Sequence, residues 1–226
     1  MSTGVSMVRR DAEIQQDVLA ELSWDARVRA SEVGVSVAAG IATLSGSVDS
    51  YAKKWAAERT AHRVRGVRAV ANDIAVRLPG DAQRTDTDIA TAASRALEWD
   101  ADVPVEKLDV TVANAWLTLR GEVEKGFQKR AAERAVRRLT GVRGVTNLIA
   151  VRPVGVAPGA ELERDLRGAL ARRAGLDADL IDIEVTDGTV VLSGEVRSWK
   201  ERSEAERIAW AAPGVGAVEI RLSLAG

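Results

Sequence analysis

LSGSV at 44–48, followed by GVRAVANDIAV at 66–76, marks two apolar strands joined by a helix-length segment, and the pair returns twice. The first string recurs as LRGEV at 119–123 and LSGEV at 192–196. The second recurs as GVRGVTNLIAV at 141–151 and GVGAVEIRLSL at 214–224. Both step by 75 and then by 73 residues. So do AAER at 56–59, AAER at 131–134 and EAER at 204–207. Carrying the offsets backwards aligns Ile14/Val18/Leu22 with Ile89/Ala93/Leu97 and Leu162/Leu166/Leu170. The units 14–76, 89–151 and 162–224 match without gaps, and the two-residue difference in period falls in the linkers.

Working outward, each unit opens with an amphipathic helix, because its apolar residues step by four. Asp11 is expected to cap the first of these helices, and Thr85 with Asp88 has the spacing of a capping box. A hairpin follows. Val33/Val35/Val37, Leu108/Val110/Val112 and Ile181/Ile183/Val185 alternate with period two. Ala39-Gly40, Asn114-Ala115 and Asp187-Gly188 stand at the turns, where both central positions call for positive φ. Gly46, Gly121 and Gly194 interrupt the second strand, which implies close approach of another backbone or helix. A second helix, expected over 51–65, turns small residues inward: Ala57, Ala61 and Val64 in the first unit. Gly66, Gly141 and Gly214 fit a left-handed stop after it. A last strand closes the unit, parallel to the one before the helix.

The expectation is an α+β protein of three tandem small domains, each α-β-β-α-β, with two helices on a three-stranded mixed sheet. The expected limits are 11–77, 85–152 and 158–225. Linkers 77–86 and 152–160 are short and rich in Pro and Gly, so the units are expected to touch.

The LSGSV and GVRAVAN strings, their second copies LRGEV and GVRGVTN, and the third copies LSGEV and GVGAV resemble the BON domain of the OsmY-like family. The third unit departs at Ile220, where the others carry Asn72 and Asn147. The resemblance implies a non-catalytic module that meets phospholipid, in proteins of osmotic and envelope stress. It also implies a lesser alternative, sensing of potassium or another small ligand through backbone carbonyls.

Composition excludes several classes. The 226 residues carry 32 basic and 33 acidic side chains, no cysteine and one histidine. Disulfides, thiolate chemistry and thiolate metal sites are ruled out. No catalytic residue, metal ligand or cofactor is expected, because one histidine without cysteine assembles no triad or metal set. His62, matched by Arg137 and Trp210, reads as a surface residue. Nucleic acid is not expected as a partner. GVRG at 141–144 has the form of a GXXG clamp but joins a helix to a strand and is missing from the third unit. No apolar run spans a bilayer, and MSTGVSMVRRDAEI lacks a signal-type apolar core, so the expected location is cytoplasmic, with possible membrane association.

The second helix holds the candidate site. Residues 51–68 carry six basic side chains against one acid, as do 126–143, while 199–216 carry three of each. A basic face backed by an apolar one suits an anionic membrane surface met peripherally; a solvated, internally paired surface is the plainer reading. The candidate lipid-binding residues are Lys53, Lys54, Trp55, Arg59, Arg63, Trp116, Lys129, Arg130, Arg134, Arg137 and Arg138. Six tryptophans stand against one Phe and one Tyr. Trp55 or Trp116 suits the headgroup level, whereas Trp24 and Trp99 read as packing at the core edge or between units. A protein partner or self-association through sheet edges and tryptophans is the alternative. The third unit, which lacks the basic helix, is expected to pack near its neighbours without touching the ligand.

Overall fold

The computed structural model describes residues 10–153, 155, 159–172 and 178–224. The N-terminal stretch, part of the second linker and the expected outer limits of the third domain lie outside the described residues.

The first unit runs α1 (Asp11–Trp24), β1 (Val33–Ala38), β2 (Ile41–Val48), α2 (Tyr51–His62), β3 (Ala69–Asn72) and β4 (Ala75–Val76). The second runs α3 (Asp86–Trp99), β5 (Leu108–Ala113), β6 (Trp116–Val123), α4 (Gly126–Val136), β7 (Gly144–Asn147) and β8 (Ala150–Val151). The third runs α5 (Gly159–Ala171), β9 (Ile181–Thr186), β10 (Thr189–Val196), α6 (Trp199–Ala211) and β11 (Ala217–Leu224). In each unit the middle strand pairs antiparallel with the hairpin strand and parallel with the last one. The protein is α+β, three tandem domains, each a mixed sheet covered by two helices.

Each unit has its own core. Ile14, Val18 and Leu22 are buried against Val33, Ala42, Leu44 and Val48, and Ala57 and Ala61 bring α2 down onto the same sheet face. The second and third units repeat this with Ile89/Ala93/Leu97 and Leu162/Leu166/Leu170. The inward positions read from the repeat are the ones that pack.

The strand glycines have a backbone reason. Gly46, Gly121 and Gly194 sit at φ +113°, +128° and +114°. A Cβ at each would fall 2.1–2.2 Å from the carbonyl oxygen of Glu32, Lys107 or Leu180. No side chain fits there. The turn positions also hold positive φ, from 48° at Asp187 to 75° at Gly188.

Three local expectations are corrected. Asp11 is the first helical residue, not the cap. Arg10 occupies the cap position without a side-chain bond, and the Asp11 carboxylate instead accepts the Ala39 and Gly40 N–H groups at 2.8 and 2.9 Å. Asp86 does the same for Asn114 and Ala115. Two adjacent turn N–H groups with no strand partner outcompete the helix start for a carboxylate. α2 stops at His62, before the expected 65, because Val64 and Val67 bond three residues back and tighten the chain toward Gly66 at φ +94°. The last strand is split in the first two units and continuous in the third. Asn72 Oδ1 accepts the Ile74 N–H, while its amide donates to the Lys54 carbonyl and to Glu58. Asn147 repeats this with Ile149, Lys129 and Glu133. Ile220 has no such side chain, so β11 pairs with β10 over eight residues without a break. The capping box of Thr85 and Asp88 is present.

Candidate functional site

The three second helices meet. Tyr51, Gly126 and Trp199 are equivalent by the repeat and open α2, α4 and α6; His62, Arg137 and Trp210 are equivalent near their ends. The first set docks on the second set of the next unit, in the order one to two, two to three, three to one. Tyr51 packs on the second unit's core, with its hydroxyl against the Val145 backbone N–H and near Glu133 and Arg137. Gly126 lies under the Trp210 indole, so close that a Cβ would fall 2.4 Å from the ring. Trp199 stands edge-on to His62, with centroids 4.5 Å apart, and donates its Nε1–H to the Val67 carbonyl. One type of head-to-tail contact, used three times, closes into a pseudo-threefold ring.

The ring surrounds a cavity of about 830 Å³ walled by α2, α4 and α6. The AAER/EAER repeats put Glu58, Glu133 and Glu206 at one level of its wall, and Arg59, Arg134 and Arg207 at the next. Of the predicted residues, Trp55, Arg59, Arg63, Arg130, Arg134 and Arg137 line it. Trp55 lies beneath two guanidiniums from different units, Arg59 at 4.7 Å and Arg137 at 3.5 Å from its centroid. Arg137 is 9% exposed. Burial draws the Arg59, Arg130 and Arg137 pKa values below the free value; Glu206 opposes this at Arg130 and Glu133 at Arg137, while neighbouring arginines add to it at all three.

The other predicted residues stand apart. Lys53 is paired with Asp49 at 2.6 Å, and Lys54 donates to the Ile74 carbonyl. Lys129 and Arg138 lie on α4 and just beyond it, outside the cavity wall. Trp116 is on the sheet face opposite α4, since its neighbours Leu117 and Leu119 alternate into the core. Its ring covers Gly144, and Nε1–H donates to Thr146.

Two expectations about single residues change here. His62 is not a surface residue: it is half-buried against Trp199, and its Nδ1 is buried without a hydrogen-bond partner. Burial lowers its pKa, Arg202 adds to the lowering, and Glu58 opposes it. Trp24 and Trp99 are not packed; they are 86% and 89% exposed at the ends of α1 and α3. The third unit also lines the cavity, through Trp199, Lys200, Ser203 and Arg207 among others. Sequence reading passed over Tyr51, Gly126 and Trp210. The available signal was a reciprocal change of size at two repeat positions, glycine against tryptophan.

Nearby, the Asp25 carboxylate accepts both Arg27 nitrogens and the Thr60 hydroxyl. Those bonds, the Arg27 ones foremost, hold it well below the usual carboxylate range. Among the described residues there is no group of three or more acid or imidazole side chains able to hold a metal ion. No described helix is long and apolar enough to cross a membrane.

The fold is that of a small α-β-β-α-β unit repeated three times around a shared helix junction. The BON domain model matches residues 10–77, 85–153 and 159–226, and the chain belongs to the BON domain family. It is 28% identical over 141 residues to osmotically-inducible protein Y of Escherichia coli K12, covering 61% of this chain and 70% of that protein. Among solved structures, CdsD, a structural protein of the type III secretion system of Chlamydia trachomatis, aligns at 14% identity over 94% of this chain and 92% of that one, with a TM-score of 0.25.

Proposed function

We propose that this protein is a non-catalytic binding protein that meets anionic phospholipid surfaces peripherally, through the basic cavity face. The observation that carries this reading is the convergence of Arg59, Arg63, Arg130, Arg134 and Arg137 on one opening. Each cation near an anionic leaflet contributes on the order of 1 kcal/mol, screened by salt. Trp24 and Trp99 supply what Trp55 does not, rings free to enter a headgroup layer. Asp25, next to Trp24, reaches Thr60 and Arg63 on the cavity helix; Asp102, shortly after Trp99, meets Arg134 at 4.0 Å. Each exposed indole thus stands at a helix end close in sequence to an acid that reaches a cavity arginine. The likeness to an osmotically-inducible protein fits a role in osmotic stress.

Cosedimentation with phosphatidylglycerol vesicles, against phosphatidylcholine vesicles, tests the reading. Binding to the anionic vesicles at about 50 mM salt, weakening as the Debye length shrinks, is expected. Reversing Arg59, Arg63, Arg130 and Arg134, all on the cavity wall, to Glu is expected to abolish it. Equal recovery with both lipids removes the proposal.

A further inference from the structure

The cavity wall carries seven basic side chains against four acidic ones. Among the described residues, Arg59 and Arg137 have no carboxylate within salt-bridge distance; both lie on Trp55 instead. Among the described residues, the wall acids Glu133 and Glu206 favour the charged forms of Arg137 and Arg130, but from beyond ion-pair distance. Glu58 and Glu133 accept from Asn72 and Asn147, and Glu204 takes the Arg207 fork at 2.6 and 2.8 Å. Asp25 lies 3.8 Å from Arg63 but is already bound by Arg27 at 2.5 Å. A buried cation without an anion is costly to the fold. Arg137 bears that cost, being 9% exposed, while Arg59 of another unit shares its indole from the solvent-exposed side of the wall.

The geometry suits a ligand. A guanidinium presents its N–H groups as a planar fork that matches bidentate phosphate contacts. Arg59 and Arg137 bring two guanidiniums to one ring, and Arg63, Arg130 and Arg134 stand around them in the same cavity. One phosphate fills one fork and leaves the others unanswered. A cavity of about 830 Å³ has room for more.

We propose that the cavity is a single composite site for a compact anion carrying two or more phosphate groups, bound once per chain. This rests on the reading of the face as anion-binding, and adds the ligand's valence, its stoichiometry and the need for all three units. A soluble polyphosphate and a bis-phosphate lipid headgroup share this chemistry.

Calorimetric titration of the full chain with tripolyphosphate and with orthophosphate reads the valence. One tripolyphosphate per chain, held about tenfold or more tighter than orthophosphate, is expected. Arg59→Gln and Arg137→Gln each weaken tripolyphosphate about tenfold or more, while for Arg137→Gln the melting temperature without ligand stays level or rises, since a buried cation without an ion pair is gone. Equal binding of the two anions, or either variant binding like the wild type, overturns the site. Vesicles of a bis-phosphate lipid separate the sources. Tripolyphosphate binding without vesicle binding upholds the composite site and removes the membrane reading. Vesicle binding without tripolyphosphate binding does the reverse.

Discussion

Gly121 shows how a single position can be settled by backbone alone. Its φ of +128° and the Lys107 carbonyl 2.1 Å from a would-be Cβ leave Gly121→Ala both strained and clashing. A loss of at least about 3 kcal/mol in urea unfolding is expected, whereas Gly80→Ala, with nothing within 4 Å, stays within about 0.5 kcal/mol. His62 makes a pH prediction. Its folded pKa is depressed by burial, so the unfolded chain binds the proton more readily. Stability is therefore complete above the unfolded value of about 6.5 and falls as pH drops through and below it. Thermal melts from neutral to mildly acid pH should show a steeper decline for the wild type than for His62→Phe, which keeps the edge contact with Trp199 and removes the unpartnered Nδ1. Parallel slopes would assign the acid sensitivity to other groups. The glycine was legible in the sequence because it recurs in every copy. The histidine was not, because its partner Trp199 lies in another unit, 137 residues away in the chain.

At the scale of the element, the final strand separates the third unit from the other two. Asn72 and Asn147 tie the last strand to the second helix with bonds to a backbone carbonyl, a glutamate and a backbone N–H. Asn147→Ala leaves the Lys129 carbonyl and Ile149 N–H without these partners, and should cost about 1–3 kcal/mol. Amide hydrogen exchange of Ile149 and Ala150 is the local readout, and unchanged protection would show that the side chain holds nothing. Helices, hairpins and turn positions were legible because each is set within a few residues by periodicity and by glycine. Asp11 was misread because its partners, the turn N–H groups of Ala39 and Gly40, come from the hairpin, and a helix-start acid looks the same whichever it serves.

At the scale of the molecule, three marginal domains gain from one another. Small domains bury little core, and here each lends an aromatic or small residue to a neighbour. The basic helices were legible as charge counts; their convergence was not, because nothing in one repeat says how it meets the next. Ring closure makes the third unit part of the site. Gly126→Leu should open the junction with Trp210 while leaving each core intact, raising the radius of gyration in solution scattering with far-UV dichroism unchanged; an unchanged radius would mean that the contact does not hold the units together. The most direct measurement uses the absence of cysteine. A Cβ at Gly126 would lie 3.2 Å from the Trp210 Cβ, close to disulfide spacing. The double substitution Gly126→Cys and Trp210→Cys, oxidised mildly in dilute solution, should give a monomer locked by one internal disulfide, faster on a non-reducing gel and free of titratable thiol. Persistently free thiols, or disulfides formed only between chains, would contradict the ring.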